Sequence, residues 1–183
     1  MFRIGSELKA VGLLLVASMV AACAPADIRL TDTEVVHIPR AALLENPERL
    51  PDAGFLSTGQ PNEEMLDLVA SAGYAAVVDL RGVNEDRGID ERAEVEARGM
   101  QYVSLPTPDL SAATVDQAGR LAEILADIDG PVLLHCFSGN RVGSLFALEA
   151  RSEGKSVEEA VAFGEEAGLT RWRDEIREKV EAN

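Results

Sequence analysis

Cysteine and histidine are scarce in this 183-residue chain, with two of each. Two cysteines cannot supply the disulfide framework of a small secreted scaffold, and no Cys/His spacing fits a zinc site. No metal or organic cofactor is therefore expected. Basic residues are also few, 17 Lys and Arg against 32 Asp and Glu, for a net charge of −15. That balance excludes the basic footprint that nucleic acid requires and disfavours docking on an anionic membrane face. Internal repeats and low-complexity segments are absent. The charge runs Glu85–Glu96 and Arg173–Glu181 read as solvated helix faces. What is present is enough apolar residue, 46% of the chain, for one domain with a core of its own.

The N-terminus stands apart. Arg3 and Lys9 precede an apolar segment, Ala10 to Ala22, of about a dozen residues, too short to span a bilayer comfortably but suited to the hydrophobic region of a secretory signal. It ends in Val20-Ala21-Ala22-Cys23, which resembles the bacterial lipobox. The expectation is a signal peptide over residues 1–22, lipidation at Cys23, and a tether over residues 23–52 carrying a strand at Glu34–Ile38. Ala24 after the cysteine points, by the same resemblance, to the outer membrane of a Gram-negative cell, with the chain facing the periplasm. His37, in that strand, is expected to be structural. If lipid consumes Cys23, then Cys136 remains alone in an oxidising compartment with no disulfide partner.

From residue 53 to the end the pattern is regular and predicts one domain. Strands are expected at Gly54–Thr58, Ala75–Leu80, Tyr102–Leu105 and Val132–His135. Helices are expected at about 62–71, 91–98, 112–128, 144–151, 156–167 and 169–182. Asn62 caps the first of these, and Ser156 with Glu159 forms a capping box for the fifth. Strands alternating with helices imply an α/β domain whose central, mostly parallel sheet is flanked by helices, with a helical C-terminal part.

Chemistry in such a sheet gathers beyond the carboxyl ends of the strands. Cys136 lies there, followed by Phe137-Ser138-Gly139-Asn140 and then a helix starting near Arg141. The amides of that loop and of the first helical turn lack intrahelical acceptors and are free to converge on an anion. Gly139 permits the turn, and Gly143 allows another helix to approach closely. A thiol at such a focus, beside a guanidinium, is expected to ionise well below the free value of about 8.5. Arg141 offers a planar fork that matches an oxyanion.

The segment His135-Cys136-Phe137-Ser138-Gly139-Asn140-Arg141-Val142-Gly143 resembles the active-site loop of cysteine-dependent protein tyrosine and dual-specificity phosphatases. It is most similar to the bacterial DUF442, or beta-lactamase-hydrolase-like, family. Gly59-Gln60-Pro61, Val78-Asp79-Leu80-Arg81, Gly99-Met100-Gln101-Tyr102 and Ala167-Gly168-Leu169 fall in the places that resemblance implies, over roughly residues 54–170. It implies a protein tyrosine phosphatase-like fold, a Cys136 nucleophile and a phosphorylated substrate. Arg141 and the amides of Phe137, Ser138, Gly139, Asn140, Arg141 and Val142 would hold the phosphoryl oxygens. His135 would orient the loop. The general acid is sought in the loop after the preceding strand, where Asp109 is the candidate and capping of the next turn the alternative. Arg81 would add positive charge, or else pair with Glu85.

Two features depart from the phosphatase pattern. Only four residues separate Cys136 from Arg141, where the pattern has five, and Val142 replaces the usual Ser or Thr. The shorter loop instead resembles that of single-domain rhodaneses, which transfer sulfur through a cysteine persulfide. Against that reading, the Gly-His-Ile-Pro-Gly-Ala segment of those proteins is missing and a His stands directly before the cysteine. A sulfurtransferase working through Cys136, or a non-catalytic anion- or partner-binding module, therefore remains an alternative to a phosphatase.

Overall fold

The structure, a computed structural model, describes residues 29–183. The signal segment and Cys23 lie outside the described residues. Five strands form one wholly parallel sheet: β1 Val35–His37, β2 Phe55–Thr58, β3 Ala76–Asp79, β4 Gln101–Ser104 and β5 Val132–His135. Their spatial order is β1-β2-β5-β3-β4, so the last strand in sequence lies at the centre. The three inner strands are buried along their whole length, as their unbroken apolar runs require, while β4 at the edge is partly exposed.

Helices cover both faces. Strand residues Phe55, Val78, Val132 and Leu134 point to the face packed by α4 (Val115–Ala126), α5 (Asn140–Ser152), α6 (Val157–Glu166) and α7 (Arg173–Glu181). Their neighbours Leu56, Val77 and Leu133 point to the opposite face, against α1 (Arg40–Glu45), α2 (Glu63–Ser71) and α3 (Glu91–Ala97). The caps expected at Asn62 and Ser156–Glu159 form. The fourth expected helix starts at Asn140, close to the start near Arg141 expected after the Cys136 loop and four residues before its regular period. The third begins only at Val115, because Asp109 and Thr114 each cap a separate turn and a short 3-10 segment intervenes.

One expectation is corrected. From residue 29 onward the supposed tether belongs to the domain. β1 pairs in parallel with β2, Val35 opposite Phe55 and His37 opposite Ser57. Leu30 and Leu43 are fully buried, one on each face of the sheet. Glu153 holds the backbone N–H of Leu30 at 2.7 Å. The strand expected at Glu34–Ile38 forms as β1, but its apolar run is short and flanked by charge and proline, so the sequence does not signal that it joins the sheet.

Candidate active site

Register builds the site. Thr58, His135 and Asp79 end their strands side by side, so the loops after β2, β5 and β3 emerge next to one another. Cys136 follows β5 directly. Gly139 adopts φ +88°, a conformation that L side chains rarely hold, and so turns the loop into α5. Its N–H donates to Cys136 Sγ at 3.1 Å. The first bond within α5 runs from Gly143 N–H to Gly139 C=O at 3.0 Å, leaving the amides of Asn140, Arg141 and Val142 without intrahelical acceptors. Cys136 as a whole is buried, 1% exposed.

Arg141 is held by Glu85 of the β3–α3 loop. Its Nη1 and Nη2 donate to the two carboxylate oxygens at 2.6 and 2.9 Å. Glu85 also accepts from Gly82 N–H at 2.6 Å and from Arg81 Nε at 2.9 Å. Arg141 foremost, with these further donors, pulls the Glu85 carboxyl down to about 2. For Arg141 burial disfavours the charge, but Glu85, Cys136 and Asp79 outweigh it and raise its pKa.

Beneath the loop lies a buried network that the sequence did not disclose. Asp79 accepts from Arg87 Nε at 2.6 Å, from Tyr102 Oη at 2.7 Å and from Arg81 N–H at 2.7 Å. Burial and Asp79 raise the Tyr102 hydroxyl well above its ordinary value. His135 Nε2 approaches Glu91 Oε1 to 2.7 Å and Asp79 Oδ1 to 3.5 Å. The Glu91 contact is off the line of a hydrogen bond, and neither of its two atoms has another partner. The backbone contact expected of His135 is long, Nδ1 to Cys136 C=O at 3.4 Å, so carboxylates are the nearer neighbours of this ring. Asp79, Glu91 and His135 present ligand atoms within 4.8 Å of one another, a donor set that suits a divalent cation. Arg87, whose guanidinium lies 2.6 Å from Asp79 and 3.7 Å from Glu91, already supplies positive charge there. The cluster is therefore better described as an ion-pair network than as a metal site.

The remaining predicted residues divide. Phe137 is 67% exposed at the rim, and Arg81 lies over its ring at 5.3 Å from the centroid. Arg81 is buried and committed to Glu85 and to Gln60 Oε1, the latter at 2.7 Å, so the pairing alternative holds for it. Ser138 is exposed beside Phe137. The Asn140 side chain ties the loop to the segment after α6: Oδ1 accepts from the N–H groups of Thr170 and Arg171 at 3.0 and 2.7 Å, and Nδ2 donates to Ser138 Oγ at 3.4 Å. The Val142 side chain is in the core. Asp109 is exposed and caps the 3-10 turn, accepting from Ser111 N–H at 2.8 Å and Ser111 Oγ at 2.6 Å. Those bonds hold its carboxyl below the ordinary value, with a smaller pull from the charge on Arg141. The Asp109 loop abuts the Glu85 loop, since a Cβ on Gly82 would meet Glu85 Oε1 at 3.1 Å and Pro108 Cβ at 3.3 Å.

A parallel α/β sheet, a Cys-to-Arg loop opening a helix at its centre, and a thiol capped by a loop amide are the features of a phosphatase-like domain of the dual-specificity, protein tyrosine phosphatase class, and the family profile agrees. More narrowly, the chain belongs to the family described as DSP-PTPase phosphatase fused to NAD+ kinase, whose profile matches residues 26–180. It is 33% identical over 118 residues to the beta-lactamase hydrolase-like protein of Xylella fastidiosa (strain Temecula1), covering 61% of this chain and 27% of that protein. The chain thus spans about a quarter of the curated relatives it matches. Among solved structures, Tk-PTP in its active form is 28% identical with a TM-score of 0.54, over 73% of this chain and 98% of that one. A DUF442 protein of Shewanella putrefaciens CN-32 shares the fold at 20% identity and TM-score 0.51, over 76% of this chain and 97% of that one.

Proposed function

We propose that this protein hydrolyses phosphomonoesters through a phosphocysteine intermediate at Cys136. The observation that carries this reading is the Gly139 N–H on Cys136 Sγ at 3.1 Å, a donor aimed at the atom that must bear negative charge. The sulfur attacks phosphorus, and the S–P bond forms as the ester P–O bond breaks. Asp109 gives its proton to the departing oxygen. A water then attacks phosphorus, returns a proton to Asp109, and the thiolate leaves. Arg141 and the free amides of the first turn of α5 hold the phosphoryl oxygens throughout.

The test is hydrolysis of p-nitrophenyl phosphate. Cys136→Ser is expected to abolish it, and undiminished activity in that variant would end this reading. A general acid must be protonated, so the native rate falls as pH rises through the Asp109 value. Asp109→Asn is expected to lower the rate by about 10²-fold and to remove that fall. The four-residue loop also supports the sulfurtransferase alternative. Thiosulfate-to-cyanide transfer, measured beside hydrolysis, separates the two: transfer without hydrolysis would replace the phosphatase account.

We further propose that Cys23 carries lipid and holds the domain at a membrane facing the periplasm. The Val20-Ala21-Ala22-Cys23 sequence supports this.

A further inference from the structure

Beside the candidate active site lies a cleft of about 480 Å³, lined by His37, Pro39, Arg40, Gln60, Phe137 and Ser138 among others, with no carboxylate among its lining residues. Its volume is that of a small-molecule site, and it shares Phe137 and Ser138 with the Cys136 loop. We propose that this cleft receives a second phosphoryl group, so that the substrate is a small molecule bearing two phosphates, one at Cys136 and the other between Arg40 and His37. This rests on the phosphatase reading and names the substrate class for it.

The charge balance around the loop supports the assignment. Of the arginines near the loop, Arg81 and Arg141 are both bonded to Glu85, and Arg87 to Asp79. Arg40 is different. Its Nη1 donates to the neutral Gln60 C=O at 2.8 Å, and among the described residues it pairs with no carboxylate. It is a positioned, uncompensated cation at the mouth of an otherwise neutral cleft, in a chain of net charge −15.

His37 is built into the wall. Its ring packs against Gly139 and Gly168, where an added Cβ would meet ring atoms at 2.4 and 2.6 Å. Ser57 Oγ gives its one hydrogen to Ala167 C=O at 2.7 Å. At the 3.2 Å contact with His37 Nδ1, Ser57 is therefore the acceptor and Nδ1 the donor. Nε2 is left as an acceptor with no protein partner among the described residues, a state that burial of the ring, which lowers its pKa, favours. A phosphate monoester titrates near pH 6 and so still carries a P–OH at neutrality in part of its population, which that nitrogen can accept. A carboxylate has none to offer. A guanidinium for the oxyanion and an imidazole acceptor for the P–OH together favour phosphate as the second group.

The test is calorimetric binding of ethylphosphonate and of alkane α,ω-bisphosphonates of increasing length to the full chain, beside p-nitrophenyl phosphate hydrolysis. At least one bisphosphonate is expected to bind about tenfold or more tightly than the monophosphonate. Arg40→Ala should erase that advantage and leave monophosphonate affinity within about twofold, whereas Arg40→Lys should retain part of it. No advantage at any length, or one that survives in Arg40→Ala, overturns the subsite. Loss of hydrolysis with an Arg40-dependent advantage intact overturns the catalytic reading instead and leaves the subsite standing.

Discussion

Arg141 has two edges, and Glu85 takes only one. The carboxylate meets Nη1 and Nη2 end-on, which leaves Nε and the second hydrogen of Nη2 for a phosphoryl group. Glu85 is thus a positioning residue, fixing the plane of the guanidinium without competing for its substrate edge. Glu85→Gln should lower kcat/KM for p-nitrophenyl phosphate by about tenfold, while Glu85→Asp, which keeps the charge on a shorter stem, should recover part of it. A pure stability role would leave the activity of the folded variant unchanged. Stability carries a second signature. The folded-state pKa of Glu85 is depressed to about 2, so its stabilisation is complete above the unfolded carboxylate range and disappears as pH falls toward about 2. Urea titrations at neutral pH should place Glu85→Gln about 1–3 kcal/mol below the native chain, with the gap closing as the pH is lowered through that window.

At the level of elements, the β5–α5 unit fixes the site, and α6 fixes α5. Gly143, the fourth residue of α5, is where the two helices touch: a Cβ there would lie 2.2 Å from Leu169 N and 2.4 Å from Gly164 C=O. Both obstacles are backbone and cannot rotate away. Gly143→Ala, which raises helix propensity at an exposed position, should here cost about 1–3 kcal/mol in denaturant midpoints, and Gly143→Val more. A neutral or stabilising Gly143→Ala would mean that α5 and α6 are further apart than described. This contact was legible beforehand, because a glycine inside an otherwise helical run signals close packing. So were the inner strands, whose apolar runs are unbroken, and the loop from Cys136 to Arg141, whose members are contiguous. The pairing of Glu85 with Arg81 was an open expectation, but the rest of the network was not legible. Asp79, Arg87 and Glu91 share the β3–α3 connection without any local period to bring them together, and Gln60 after β2 and His135 and Arg141 of β5–α5 reach them only through the order β2-β5-β3. Arg40 was missed, and His37 was expected to be only structural, for a related reason. His37 ends β1 and Arg40 opens α1, and a three-residue strand is too short for its sequence to declare that it joins the sheet.

For the whole molecule, assigning β1 to the domain changes what a lipid anchor would do. Leu30 is fully buried and its N–H is bonded to Glu153, so the folded domain begins within a few residues of Cys23. Six peptide units separate Cys23 from Arg29, and such a stretch can span at most about 20 Å. A domain tethered in that way stays within roughly its own radius of the bilayer, held there against the repulsion between its net negative charge and anionic headgroups. The lipobox resemblance implies lipid on the Cys23 thiol, and stable anchoring needs more than one acyl chain's worth of buried methylene. In detergent phase separation of cells expressing the full chain, the native protein should enter the detergent phase. Cys23→Ser should enter the aqueous phase, while both hydrolyse p-nitrophenyl phosphate alike after purification. Aqueous partitioning of the native chain would remove the anchor without touching the site, since no residue placed at the site lies within ten residues of Cys23 in the chain.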